Sequence, residues 1–156
     1  MFATAFASML VGISLAGPPA VWHLDYARAH AEACSSDKPL FVVICSSSSE
    51  YAQMARMGVF LNENIEQTLR TDYVRFWLDT DTEEGRELAK QFTEDEDPHF
   101  VIIDRSGKWK VFYQTGYLLE EDLTPILSMF RRVKLDAQGR TIVDVSRRPA
   151  VQVCST

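Results

Sequence analysis

The groups in this chain that could carry chemistry are three thiols, three imidazoles and a run of four hydroxyls. The cysteines, Cys34, Cys45 and Cys154, are odd in number and lack the paired spacing of a disulfide framework or a zinc site. Lone cysteines usually act as small buried hydrophobes, and nothing in the spacing favours a bridge between Cys34 and Cys154. The hydroxyls belong to Ser46–Ser49, which no Gly-x-Ser-x-Gly elbow surrounds, and His23, His30 and His99 show no paired acid at a readable spacing. A serine nucleophile is therefore not read here. His99, directly after Pro98, is the one imidazole that a fold could bring toward the serine run, and its own context reads as a partly exposed strand start. Asp79 and Asp81 close another apolar run. Short carboxylates bond to nearby backbone N–H groups, so both read as turn and capping residues and no metal is called for.

Lys38 to Phe60 is the stretch that must position the serines. Leu40 to Ile44 is a short apolar run rich in β-branched residues, which suits a strand buried on both faces. The serines then form a tight polar turn, and Ser47 with Glu50 three positions later spells a capping box that would open a helix. A buried strand that runs through such a turn into a helix leaves backbone N–H groups free, and these favour negative charge. Cys45 directly follows the strand residues and is expected to stay in or beside it.

With 156 residues, 46% of them hydrophobic, the chain can bury one sizeable core and has no room for two ordinary domains. A formal charge of −6 argues against nucleic acid or an anionic membrane as partner, since either needs a basic patch. No glycine-rich phosphate loop or internal repeat appears, and no cofactor is expected. Residues 1–16 carry no charged side chain, and Ser14-Leu15-Ala16 has the small-x-small pattern of a signal-peptidase site, so this segment reads as a secretory signal. Membrane association is expected only if the segment is not cleaved. Pro18-Pro19 stiffens a linker over 17–21.

The remaining elements follow from periodicity and punctuation. A helix is expected from Asp25 to Ala33, stopped by Ser35-Ser36-Asp37, and another after Asn62 with Ile65 and Leu69 on one face. Tyr73 to Leu78 reads as a strand, and Thr80 with Glu83 as a second capping box before a helix bearing Leu88 and Phe92. Glu94 to Asp97 puts four adjacent carboxylates in a solvated loop ahead of Pro98. Phe100 to Ile103 and Trp109 to Tyr113 read as a hairpin turned at Gly107. Leu123, Ile126, Leu127 and Phe130 mark a last helix over about 120–133, with Pro125 requiring a late start or a place in the first turn. Residues 134–156 form an extension, either a hairpin or a loose tail.

Lys38-Pro39, an apolar strand, a short turn, a helix and Val59-Phe60 together resemble the thioredoxin-like domains of exported proteins, including the C-terminal domain of thiol:disulfide interchange proteins. The resemblance covers about 22–133 and implies an α/β thioredoxin-like fold: a central mixed sheet flanked by helices, with a cis-proline loop at Pro98. It places Ser49 and Ala52 where the family carries its Cys-x-x-Cys, Ser48 at the family's tryptophan and Val43 at its buried acid. Four features of the redox centre are missing together, which implies a relative that has lost dithiol exchange. Such a domain would act as a binding or structural module in an exported compartment, engaging a peptide or protein through Ser48, Ser49, Glu50, Asp97, Pro98 and His99. Asp97 departs from the apolar or small residue usual before the proline, and the acidic loop would repel anions. The competing reading is a monothiol oxidoreductase that uses Cys45 as Cys45-x-x-Ser48.

Overall fold

The computed structural model describes residues 22–56, 62–93 and 98–141. In chain order it contains α1 (Tyr26–Ser36), β1 (Leu40–Cys45), α2 (Glu50–Arg56), α3 (Glu63–Asp72), β2 (Val74–Asp79), α4 (Glu83–Ala89), β3 (His99–Ile103), β4 (Lys110–Thr115) and α5 (Glu120–Phe130). The strands form one mixed sheet in the order β2-β1-β3-β4, with β1 parallel to β2 and antiparallel to β3. Beyond β2, the N-terminal chain adds a single parallel bridge from His23 to Phe76.

All six residues of β1 are buried, as a continuous apolar run requires when both faces of a central strand are covered. Alternation divides them between two layers. Phe41, Val43 and Cys45 pack with Tyr51 and Ala52 of α2, Ile65 and Leu69 of α3, and Leu123 and Leu127 of α5. Leu40, Val42 and Ile44 pack with Ala29 and Ala33 of α1 and Ala89 of α4. Each large side chain buried in this way contributes about 1.5–3 kcal/mol, which fixes β1 as the central plank from which the serine turn emerges.

Helix ends follow the expected chemistry in part. Asp25 accepts from the Arg28 N–H at 3.0 Å and Asn62 from the Ile65 N–H at 2.8 Å, each satisfying an orphan donor of the first turn. The α4 cap is Thr82, which accepts from the Gly85 N–H, and not Thr80. Gly85 is demanded there by space, because a Cβ on it would lie 1.9 Å from the Asp79 carbonyl oxygen. Pro125 also departs from expectation. The last helix starts at Glu120, so the proline sits in its second turn and one backbone bond is forgone. Burial of Leu123 and Leu127 on either side offsets that loss.

Asp104 ties the hairpin turn to the chain beyond α5. Fully buried, it accepts from the Ser106 hydroxyl (2.8 Å), the Lys108 and Trp109 N–H groups (3.3 and 3.1 Å) and the Leu135 N–H (2.9 Å). The first part of the extension is held as well. Leu135 bridges Thr141, and Trp109 Nε1 donates to the Asp136 carbonyl at 3.0 Å. The secretory-signal and linker expectations, the acidic loop with Asp97, and residues 142–156 lie outside the described residues. No helix among the described residues is long and apolar enough to cross a membrane.

Candidate functional site

β1 and β2 are parallel neighbours, with Cys45 opposite Asp79, so the turns that leave them lie side by side. This adjacency builds the serine turn. The Ser47 N–H donates to Asp79 Oδ1 at 3.1 Å, and the Ser48 N–H and Ser47 hydroxyl both donate to Asp81 Oδ2, at 3.0 and 3.1 Å. Asp79 Oδ1 also receives the Asp81 N–H, which bends the second turn toward the first. Hydrogen bonding from the Ser46 hydroxyl, then from Ser48 and Ser47, holds the Asp81 carboxyl below the usual carboxylate range. The turn donors expected to await an anion are occupied by the chain's own carboxylates. Asp79 and Asp81 are turn residues as expected, but the turn they brace belongs to the neighbouring strand.

The helix cap is Ser49 in place of the expected Ser47. Ser49 Oγ accepts from the Ala52 N–H at 3.1 Å and donates to the Ser46 carbonyl at 2.7 Å, so the hydroxyl serves α2 on one side and the turn on the other. Ser47 is drawn away by the two aspartates, and the capping-box pattern that it makes with Glu50 is not used. The Ser48 hydroxyl lies 2.7 Å from that of Ser46, and Glu50 is exposed in the first turn of α2. Ala52 and Cys45 have no solvent exposure, and both belong to the layer lined by Tyr51. Val43, the position at which the resemblance would place an acid, is buried among aromatic and aliphatic side chains of that layer.

The other wall comes from the loops that flank β3 and follow β4. The Gly116 N–H donates to the Pro98 carbonyl at 2.8 Å, which sets Tyr117 beside the start of β3. Tyr117 is 60% exposed, and its ring centroid lies 5.8 Å from that of Tyr51, which in turn meets Phe100 edge-on at 5.4 Å. Burial pushes the Tyr51 phenol above its ordinary pKa, so it remains protonated at neutral pH. The Tyr51–Tyr117 pair carries no sequence motif.

His99 is fully buried, which corrects the expectation of a partly exposed strand start. Period-two alternation puts it on the face shared by Val101 and Ile103, whereas Tyr51 and Ala52 pack on the opposite face with Phe100 and Ile102. Its Nδ1 lies 3.2 Å from the Tyr113 hydroxyl and its ring stacks on that tyrosine, while the same hydroxyl is 2.8 Å from Thr93 Oγ1. The structure therefore brings Ser48, Ser49, Glu50 and the Pro98 backbone to one end of the sheet and turns His99 into the opposite layer.

No family model matches the sequence. Over 122 residues the chain is 26% identical to plant UBX domain-containing protein 7 from Arabidopsis thaliana; the match covers 73% of this chain and 26% of that protein, so the chain spans about a quarter of its relative's length. Among solved structures, a thioredoxin from Thermus thermophilus superposes with a TM-score of 0.60 at 23% identity, covering 70% of this chain and 86% of that one. A DsbH oxidoreductase gives 0.56 at 16% identity, with 84% and 95% covered. The DsbD C-terminal domain of Neisseria meningitidis in its oxidised form gives 0.53 at 13% identity, with 70% and 99% covered.

Proposed function

We propose that this chain, a thioredoxin-fold protein, works by non-covalent binding of a peptide or protein and does not exchange disulfides. One observation carries the reading: the two positions at which the resemblance places thiols are spent on structure, Ser49 capping α2 and Ala52 buried beneath it. Exchange needs an accessible thiolate to attack a disulfide sulfur. A serine hydroxyl cannot serve, and Cys45 lies sealed in the core layer. The monothiol reading therefore finds no support in the geometry.

The binding surface is the end of the sheet that carries the serine turn, the Pro98 backbone and Tyr117. An exposed aromatic ring packed against a buried one offers apolar contact at little entropic cost. Nearby carboxylates, Glu50 at the start of α2 and Glu120, Glu121 and Asp122 at the start of α5, favour a partner with lysine or arginine beside its apolar anchor. The match to a plant UBX domain-containing protein, a much longer chain, supports reading the fold as one working module among others. Export is part of the same proposal and rests on residues 1–16 alone.

A peptide panel with nuclear magnetic resonance detection tests the binding surface. Peptides that pair an aromatic or aliphatic residue with lysine or arginine are expected to shift the amides of Ser46–Ser49, Gly116 and Tyr117, more weakly at high salt, and Tyr117→Ala should cost at least about tenfold in affinity. Failure of every peptide to shift that end of the sheet would overturn the proposal.

A further inference from the structure

The opposite end of the sheet holds a cleft of about 260 Å³, lined by Ser36, Asp37, Lys38, Thr71, Asp72, Arg105, Arg131 and Arg132. Four cations and two carboxylates meet there in a chain whose formal charge is −6. Two of the cations are already engaged. Arg105 donates to the Asp37 carbonyl at 2.7 Å and to its carboxylate, and Arg131 reaches Asp72 at 3.5 Å. Lys134, just outside the cleft, adds a second cation to Asp37 at 2.9 Å. Lys38 and Arg132 take no part in any of these pairs, and both line the cleft.

Helix dipoles account for cations in this region, because α1, α3 and α5 all end here. No direct bond to a helix end holds these two. The end of α1 is closed by the Asp37 N–H, which reaches the Ala33 and Cys34 carbonyls, and the end of α5 by the Arg131 N–H on Leu127. Neither the Lys38 nor the Arg132 side chain hydrogen-bonds a helix-end carbonyl. A half-buried lysine and an arginine thus face a polar recess with their charges uncompensated by any ion pair.

We propose that this cleft binds a phosphate-type dianion between Lys38 and Arg132. Two spare cations match a doubly charged oxyanion, arginine offers a fork that suits phosphate oxygens and lysine supplies a point charge. Thr71 lines the same cleft. The mainly polar lining does not suit an acyl chain, and the volume falls below the roughly 300–1,000 Å³ of pockets that take drug-sized ligands. The ligand is therefore a small phosphate or the phosphate end of a soluble monoester.

Titration of the ¹⁵N-labelled full chain with inorganic phosphate, and separately with glycerol phosphate, at constant ionic strength tests the proposal. Saturable shifts are expected at Ser36–Lys38, Thr71, Asp72, Arg105, Arg131 and Arg132. Tighter binding of glycerol phosphate would identify a monoester as the source, and equal binding would identify free phosphate. Lys38→Gln with Arg132→Gln should weaken either ligand at least about tenfold, and the exposed single change Arg132→Gln by a smaller factor. Shifts that grow linearly without saturating, or an affinity unchanged in Arg132→Gln, would overturn it.

Discussion

Asp104 is the single residue on which most of the local architecture depends. Burial pushes its pKa up, yet the bonds from the Leu135 N–H, the Ser106 hydroxyl and the Trp109 N–H overcome that and hold the carboxyl below the usual range. A folded pKa below the unfolded value of about 3.9 means that this contribution is present above that value and drains away as pH falls through the lower folded pKa. Asp104→Ala should cost about 3 kcal/mol, since it strands three backbone donors at once, and chemical denaturation across pH 2–7 should show a shallower acid limb in the variant. An unchanged acid limb would mean that the carboxylate is not what the turn relies on. At this scale the sequence was legible where a side chain serves its own turn, as with Asp25 and Asn62. It was not legible where a partner arrives from a distant strand: Asp79 and Asp81 brace Ser47 and Ser48 more than thirty positions away.

Element types follow from the sequence wherever apolar periodicity is strong. β1, the Asn62-capped helix and the hairpin all appear within a residue or two of expectation, because burial on a defined face leaves little freedom in type. Their junctions were harder, since a cap is chosen by competition among neighbouring hydroxyls. Ser49 replaces Ser47, and Thr82 replaces Thr80. Gly85→Ala tests the second junction: a methyl 1.9 Å from the Asp79 carbonyl must push α4 off the end of β2. A loss of about 2 kcal/mol or more is expected, with faster amide exchange at Ser47 and Ser48, and wild-type exchange there would disprove the coupling. The first junction has its own test in Ser49→Cys with Ala52→Cys. Residues three apart at a helix start lie within disulfide reach, so mild oxidation should join them, as peptide mapping would show. Pairing with Cys45 instead would show that the alignment of the serine run with the dithiol position is wrong.

On the scale of the whole molecule, chain direction sorts charge. β1 and β2 run the same way, so the helices after them begin near the serine turn while α1 and α3 end at the far side. First turns collect carboxylates, among them Glu50, Glu63, Glu83 and Glu120, and the far end collects Lys38, Arg105, Arg131 and Arg132. Composition alone gave a net charge and concealed this polarity, because a sum has no geometry. The apolar stretch over residues 1–16 bears on the compartment, and mass spectrometry of the chain from its native source should find a start close to Gly17 if export operates; an intact Met1 would end that reading. Insulin reduction with dithiothreitol as electron donor decides whether a thioredoxin fold here serves binding without thiol exchange. No turbidity above the dithiothreitol control is expected, for the native chain and for Cys45→Ala alike, and catalysed reduction that vanishes in Cys45→Ala would show that Cys45 exchanges thiols.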